Sequence, residues 1–297
     1  MVTPAQAIDR IQSVFGAHAG SRTLHAKGRF YQATFTATPE AAALCRAGHL
    51  QGEPVPVWLR WSDGSGNPRA KDNAPDVRGM AVSFRLPDGT ATDLLGQTAP
   101  RFPVRSPDAF VLMVEASKRP AALAKFLLKH PSAIPPLVAN AKAQALVPPR
   151  SFAEATYFPI HAYEWTAPDG GTSWVRYTLE PRNAESARAG DDFDGRDRLF
   201  DEIEARLAAG PVQMTLRVTV AGEGDDPHDP MSVWGKQART FDAGTIEVTG
   251  PDPDREKDGE VVVFDPSRVV DGIGLSDDPI LRFRPGAYSE SVTRRLA

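Results

Sequence analysis

The stretch from Gly79 to Leu95 decides the fold that the sequence predicts. It reads Gly79-Met80-Ala81-Val82-Ser83-Phe84-Arg85, then the turn residues Pro87-Asp88-Gly89, then Ala91-Thr92-Asp93-Leu94-Leu95. Short apolar runs on either side of a Pro-Asp-Gly turn are typical of two successive antiparallel strands. The stretch therefore predicts a sheet built from short strands and tight turns.

The same pattern continues along the chain in both directions. Further strands are predicted at 30–37, 56–61, 109–114, 155–166, 172–180, 211–220, 243–249 and 260–264. Helices are predicted at 4–15, as one or two segments within 119–143, at 196–208, and from near Pro285 to the end of 280–296. Many antiparallel strands with the helices gathered in blocks indicate an α+β fold, centred on a closed antiparallel β-barrel with flanking helices. Residues 1–297 are predicted to form a single domain, because the breaks at 143–150 and 222–230 are typical of connections within one domain.

Composition excludes several classes of protein. The chain has 34 basic and 38 acidic residues, a net charge of −4, so no basic surplus indicates a nucleic-acid partner. No window approaches 18 consecutive apolar residues and the N-terminus lacks a secretory pattern, so no membrane partner is predicted and the cytoplasm is the expected compartment. The single cysteine, Cys45, permits neither an intrachain disulfide nor a multi-cysteine metal site. Acidic runs at 252–258 and 222–229 are predicted to be solvated loops.

Two short stretches carry candidate chemistry. Arg284 stands one helical turn before Tyr288, which places a cation beside a phenol. A free phenol has a pKa of about 10, and a nearby cation helps it to lose its proton and bind a ferric ion. His25 lies in the compact stretch Arg22-Thr23-Leu24-His25-Ala26-Lys27-Gly28, and an imidazole suits acid–base work near neutral pH. Taken singly, an Arg-x-x-x-Tyr pair is more often a core tyrosine, and Ser62 a simple turn residue.

These stretches belong to a series of seven blocks whose order resembles the catalase family. The blocks are Arg22–Gly28, Leu59–Ser62, Asp76–Phe84, Asp93–Phe102, Asp226–Asp229 with Val233-Trp234, Phe264–Ser267 and Arg284–Tyr288. One such block would arise by chance, whereas seven in the right order would not. The chain is too short for the family's large C-terminal additions. It therefore resembles a small catalase-related peroxidase built on the haem-binding barrel alone.

The resemblance implies a haem b site with a named role for each matching residue. Tyr288 would be the proximal ligand to the iron, since tyrosine ligates the haem of catalases, and Arg284 would stabilise its anion. His25 would be the distal acid–base group, with Ser62 bonded to its ring. The haem propionates would be bound by Arg22, Arg60 and Arg295, with Arg294 as a competitor for the last role. Phe110 would flank the haem on the distal side, Phe102 would lie beside the peroxide, and Asp76 would lie near the substrate channel.

Position 97 departs from the family pattern. Catalases carry an asparagine there to position the peroxide, whereas this chain has Gln97, followed by Thr98. Glutamine offers the same donors and acceptor one methylene further out, which predicts weak catalase activity. Gly64 replaces an apolar channel residue of the family, which predicts a wider opening for bulkier electron donors.

The predicted function is that of a haem-dependent peroxidase. It would reduce hydrogen peroxide, and organic hydroperoxides as further oxidants, with small organic reductants. Two alternatives stay open: a haem enzyme that rearranges fatty-acid hydroperoxides, and a non-catalytic haem-binding protein. His25 argues against the second, because a haem carrier needs no distal acid–base group. The sequence is compatible with a homo-oligomer. The other histidines (His18, His49, His130, His161 and His228) are predicted to be surface or hydrogen-bonded polar residues.

Overall fold

The computed structural model describes residues 1–183, 193–235, 238–257 and 260–296. Within these ranges, nine antiparallel strands form one curled sheet and seven α-helices pack around it. The strands are β1 (Gly28–Ala37), β2 (Val55–Asp63), β3 (Arg78–Arg85), β4 (Ala91–Gln97), β5 (Tyr163–Thr166), β6 (Thr172–Pro181), β7 (Val212–Val220), β8 (Arg239–Pro251) and β9 (Ile273–Leu275). The helices are α1 (Pro4–Phe15), α2 (Pro39–Leu44), α3 (Pro107–Ala116), α4 (Pro120–Lys129), α5 (Ile134–Lys142), α6 (Arg198–Ala209) and α7 (Pro279–Leu296). The predicted α+β class is confirmed.

The strand register places one row of residues side by side across the sheet. The strands lie in the order β4-β3-β2-β1-β8-β7-β6-β5-β9. Ser62 on β2 is opposite Gly79 on β3, and Gly79 is opposite Gln97 on β4. Since residues directly opposite each other point to the same face of a sheet, all three share one face. We call this the site face.

The main hydrophobic core lies on the other face of the sheet. Alternation along β2 turns Val57, Leu59 and Trp61 into this core, where all three are buried. Helix α6 closes the core with Phe200 and Ile203. The intervening β2 residues, Arg60 and Ser62 among them, consequently belong to the site face. Arg60 and Ser62 are buried there as well, which requires a second layer of chain to cover them.

The predicted closed barrel is not confirmed. In the part of the chain that the structure describes, no ladder joins the two edge strands, β4 and β9. On its outer side β4 makes an isolated bridge from Gln97 to Phe158, a residue that lies outside the strands. Pro159 follows immediately and has no amide hydrogen with which to extend the pairing. The sheet is therefore an open half-barrel.

Some predicted elements differ from those observed. Residues 109–114 are not a strand but belong to α3, because Ser106 accepts from Ala109 N and Pro107 occupies the first turn. Of the segment 155–166, β5 takes up only the last four residues, and 260–264 forms no strand. Helix α7 begins six residues before Pro285, because the Asp278 carboxylate accepts from Ile280 N at 2.7 Å.

Helices at 4–15, within 119–143 and near 196–208 are confirmed to within two residues or as separate segments. Over the described ranges, no helix is both long and apolar enough to cross a membrane.

Candidate active site

A cavity separates the site face of β2–β4 from helices α1, α3 and α7. Apolar side chains supply most of its wall, for example Ile8 and Ile11 from α1 and Val111 from α3. The nine site residues predicted from the sequence all line it: Arg22, His25, Arg60, Ser62, Gln97, Phe110, Arg284, Tyr288 and Arg295. Phe102 lines it too. The fold thus brings together residues from both ends of the chain.

His25 lies above the site face on the loop before β1. Its Nδ1 is 3.0 Å from Ser62 Oγ. Its backbone has a φ of +54°, a left-handed conformation that costs a non-glycine residue roughly 1–3 kcal/mol. Two hydrogen bonds hold it there: His25 N donates to Gly64 O at 3.1 Å, and Arg60 Nη1 donates to His25 O at 3.0 Å. The surroundings therefore fix the direction of the imidazole.

Gly79 makes the close approach of His25 to the sheet possible. A Cβ at position 79 would lie 2.6 Å from His25 Nδ1 and 2.7 Å from Ser62 Oγ. No side chain fits between them, so only glycine allows the imidazole to pack against the backbone of β3. Gln97 is the next residue along the same row.

His25 is neutral in this cavity. Burial, followed by the positive charges of Arg60, Arg284 and Arg22, lowers the pKa of His25 to about 3. The ordinary pKa value assumed from the sequence therefore does not apply in this cavity. A neutral imidazole keeps one nitrogen free to accept a proton.

Tyr288 lies on α7 and is part of a chain of four side chains. Arg284 Nε donates to Tyr288 Oη at 2.7 Å, which confirms the contact expected from their spacing. Arg284 Nη1 is 2.8 Å from His161 Nε2, and His161 Nδ1 is 2.6 Å from Asp278 Oδ2. Burial raises the pKa of Tyr288, while Arg284 acts in the opposite direction. Arg284 is thus the group in this chain that favours the phenolate.

The tautomer of His161 follows from its two partners. A guanidinium has no acceptor, so His161 Nε2 must accept from Arg284 and Nδ1–H must donate to Asp278. Burial lowers the pKa of His161 to about 4 despite the hydrogen bond that His161 donates to Asp278, which agrees with a neutral ring. Both side chains are about 1 % exposed. The pair fixes the orientation of the Arg284 guanidinium.

The sequence reasoning missed His161 and Asp278 as site residues. His161 was assigned only a surface or hydrogen-bonded role, and its apolar neighbours Ile160 and Ala162 give no further signal. Asp278 did have a signal, because an aspartate directly before a proline is typical of a helix start. If this start signal had been assigned to the same helix as Arg284, the predicted α7 would have begun at its observed first residue.

Besides Arg284, three arginines line the cavity: Arg22, Arg60 and Arg295. Arg60 is buried, and its Nη atoms donate to the carbonyls of His25 and Ala26. Arg22 and Arg295 converge on the carboxylate of Glu256. The competitor Arg294 pairs instead with Asp9 and Glu290. Burial and the neighbouring arginines lower the pKa values of Arg22 and Arg60, so this end of the cavity favours anions.

An aromatic pair forms another part of the wall. The rings of Phe102 and Phe110 are stacked, with centroids 5.6 Å apart and planes 20° apart. Phe110 reaches the cavity from helix α3 rather than from the predicted strand. Such a pair offers a flat apolar surface to a flat ligand.

The expected opening at Gly64 is wrong. A Cβ at this position would lie 2.5 Å from Val77 Cγ2 and 2.8 Å from Asp76 Oδ1. The space that a larger residue would take is therefore already filled by residues 76 and 77. Asp76 accepts from Ser65 N and Val77 N, which is the turn role that its sequence context also allowed.

This set of donors fits a haem. A flat apolar macrocycle needs apolar walls and an aromatic surface, two carboxylates need convergent guanidinium groups, and a ferric ion needs an anionic or polarised axial oxygen. The cavity presents all three in the residues described above. The fit rests on the chemistry of two pairs of side chains. Tyr288 with Arg284 forms one side of the cavity, and His25 with Ser62 forms the other.

Comparisons with known proteins agree with this geometry. A family model described as "Catalase" matches residues 2–297. The catalase-related peroxidase of Mycolicibacterium paratuberculosis is 46% identical over 300 residues, covering 99% of this chain and 95% of that protein. The catalase-related peroxidase of Synechococcus elongatus is 30% identical, covering 99% and 89%. A solved bacterial catalase superposes with a TM-score of 0.79 at 20% identity, over 98% of this chain and 60% of its own.

Proposed function

The chain belongs to the catalase family, and on that premise we propose that it is a haem-dependent peroxidase that reduces hydrogen peroxide with small organic electron donors. Members of the family bind haem, and the related peroxidases indicate an oxidoreductase that acts on peroxide. One observation carries the proposal. A single cavity holds a histidine–serine pair on the sheet and an arginine–tyrosine pair on α7.

Tyr288 is the residue that would ligate the iron of a haem b. Arg284, held by His161 and Asp278, favours the phenolate by a hydrogen bond at 2.7 Å. Haem b, when bound, supplies the ferric centre that takes up the oxidising equivalents of peroxide. Arg22, Arg60 and Arg295 would bind its propionates, since a guanidinium matches a carboxylate in geometry and charge. Residues 1–297 then act as one haem-binding domain.

His25 would move the proton that cleavage of hydrogen peroxide requires. Its neutral ring accepts a proton from one peroxide oxygen and delivers it to the other, which leaves as water. Ser62 Oγ, 3.0 Å from Nδ1, sets which nitrogen faces the peroxide. Two electrons and two protons from the donors complete the reduction to two water molecules. Phe110 supports the distal face of the cavity.

Gln97 would weaken the release of oxygen. It lies two strands from Ser62 in the same row, so its amide is directed to the same side of the cavity as His25. Its extra methylene moves the amide away from where an asparagine would hold a second peroxide. One-electron oxidation of donors does not require that second peroxide.

The visible absorption spectrum of the purified protein tests the proposal. We expect non-covalent ferric haem b with a five-coordinate, high-spin spectrum, and loss of the tyrosinate features in Tyr288→Phe. Oxidation of an aromatic donor should be fast and oxygen release slow, with little rearrangement of a lipid hydroperoxide. A colourless protein that takes up no haemin, or a six-coordinate bis-histidine spectrum, would contradict the proposal.

A further inference from the structure

Glu256 places a carboxylate of the protein on two of the arginines that line the cavity. Glu256 Oε1 accepts from Arg22 Nη2 at 2.6 Å, and Glu256 Oε2 accepts from Arg22 Nη1 at 2.9 Å, so the ion pair is bidentate. Oε1 also accepts from Arg295 Nη2 at 2.8 Å. The three side chains are only 11–20 % exposed. The contact is thus a largely buried ion cluster beside the cavity.

The loop that carries Glu256 is built to hold it there. Val262 N donates to Glu256 Oε1 at 3.1 Å, and Arg22 Nη2 donates to Val262 O at 2.9 Å. The backbone of Glu256 has a φ of +66°, a left-handed conformation unusual for a residue with a side chain. Arg255 anchors the loop by lying 3.9 Å from the centroid of the Trp58 ring.

This arrangement differs from what the sequence predicted. The acidic run 252–258 was expected to be a solvated loop, and its last residue, Asp258, lies outside the described residues. Glu256 instead turns inward. Burial acts to raise its pKa, but the bonds from Arg22 and Arg295 outweigh burial and hold the pKa of Glu256 below its ordinary value. The carboxylate is therefore charged at neutral pH.

A haem propionate would need the same donors. Both Nη atoms of Arg22 donate to Glu256, and a guanidinium edge that binds one carboxylate in a bidentate manner cannot bind a second carboxylate in the same way. Arg60 differs, because its Nη atoms face backbone carbonyls that carry no charge. Glu256 and a propionate are consequently competitors for Arg22 and Arg295.

We propose that Glu256 is a latch that holds Arg22 and Arg295 in the haem-free protein and yields them to the haem propionates, so that residues 252–257 open when haem enters. The inference rests on the proposed function, since it requires haem to bind in this cavity. Glu256 lowers the affinity for haem by the free energy of its own bonds. In return it stabilises the haem-free protein by neutralising two buried cations.

Titration of the haem-free protein with haemin, followed by absorbance, tests the latch. Glu256→Gln keeps the shape and removes the charge. It should bind haemin at least about fivefold more tightly, the lower end of typical coupling between two groups, and its haem-free form should melt at a lower temperature. The dimethyl ester of haemin, which has no propionate charge, should bind equally to both proteins.

Asp254→Asn is the matched control. Asp254 lies in the same loop, is 80% exposed and pairs only with Lys257 among the contacts described. Its substitution should therefore change neither the affinity for haemin nor the melting temperature of the haem-free protein. Unchanged or weaker haemin binding by Glu256→Gln would overturn the latch, as would an equal effect of Asp254→Asn. If neither the wild type nor the variant binds haemin at all, the proposed function itself fails.

Discussion

The imidazole of His25 is the group in the cavity whose removal should affect chemistry most and structure least. His25→Ala should slow the reaction of the haem protein with peroxide by about 10²–10⁴-fold, the usual cost of losing a positioned acid–base group. The haem content should be unchanged, because His25 makes no contact with the Tyr288 side of the cavity among the bonds described. Stopped-flow measurement of the Soret band with hydrogen peroxide gives the rate, and the haem-to-protein ratio gives the loading.

Ser62→Ala provides the control for His25. It keeps the imidazole and removes the partner of Nδ1, so its rate should lie between that of the wild type and that of His25→Ala. A His25→Ala protein that reacts at the wild-type rate would exclude His25 from the chemistry.

Gln97 should decide the balance between oxygen release and donor oxidation. Gln97→Asn shortens the side chain by one methylene and should raise oxygen release relative to oxidation of an aromatic donor. The register from Ser62 through Gly79 to position 97 is set by backbone pairing, so the exchange should leave the site face intact. An oxygen electrode and a donor assay on the same preparation measure the ratio.

Thr98→Asn is the adjacent control, because Thr98 Oγ1 is bonded to Ala145 O rather than directed at the cavity. Rapid oxygen release by the wild type that Gln97→Asn does not alter would show that the longer amide has no such role.

Contacts between residues were predictable where the two residues lie close together in sequence, and not where only the fold brings them together. Arg284 and Tyr288 are neighbours on one helix, so their spacing alone predicts their contact. His161 comes from a segment more than a hundred residues away and meets Arg284 only in the folded chain. No local pattern at Gly64 could reveal that Val77 fills the space beside it.

Helix α7 depends on Asp278 at its beginning. The carboxylate caps the helix at Ile280 N and accepts from the buried His161 ring. Asp278→Ala should lower the free energy of unfolding of the haem-free protein by about 2–4 kcal/mol, the sum of a lost cap and an unpaired buried donor. Urea denaturation followed by circular dichroism measures this difference.

Asp277→Ala tests whether the effect belongs to the buried carboxylate. Asp277 is 81% exposed and pairs with Arg282 at the surface, so its removal should change stability by less than about 0.5 kcal/mol. Equal losses for the two variants would mean that Asp278 acts as an ordinary surface charge.

Sequence reasoning identified most helices and strands but misassigned those governed by a cap or by tertiary pairing. The apolar run 109–114 fits a buried strand or a buried helix equally well by pattern, and Ser106 with Pro107 settles it as α3. Residues 260–264 look like a strand, yet Val262 and Phe264 pack in a small cluster with Phe30 rather than joining a ladder. Such choices depend on neighbours far away in sequence.

The stability of the whole molecule should depend on a buried histidine outside the cavity. His49 is 3 % exposed and stacks on Phe84, and burial lowers its pKa to about 3. Below pH 6.5 the unfolded chain binds a proton at this position and the folded chain does not, so stability is lost as the pH falls from 6.5 toward 3. His49→Phe removes this loss, which amounts to about 1.4 kcal/mol per pH unit.

The measurement is the difference in unfolding free energy between His49→Phe and the wild type from pH 7 to pH 4. Asp63 and Asp93 act in the opposite sense, because burial raises their pKa values to about 7 and about 6, but they are present in both proteins and cancel. Any packing cost of the larger ring shifts the difference by the same amount at every pH and leaves its slope unchanged. A flat difference for His49→Phe over this pH range would contradict the assignment.

The overall architecture was predictable as a class but not in its closure. Seven ordered blocks indicated the family, and the antiparallel α+β sheet follows from the strand pattern. Whether a sheet closes depends on hydrogen bonds between its first and last strands, and among the described residues no ladder joins β4 to β9. Turn chemistry and alternation carry no information about that contact.

The left-handed backbone of His25 has a consequence for anyone who engineers this protein. Both His25→Gly and His25→Ala remove the imidazole. Glycine adopts a φ of +54° without strain, whereas alanine does so at a steric cost of roughly 1–2 kcal/mol. A library screened for heat resistance alone would therefore be expected to enrich glycine or asparagine at this position. Selection for heat resistance would discard the residue that we propose moves the proton, and only a screen that also scores turnover would keep it.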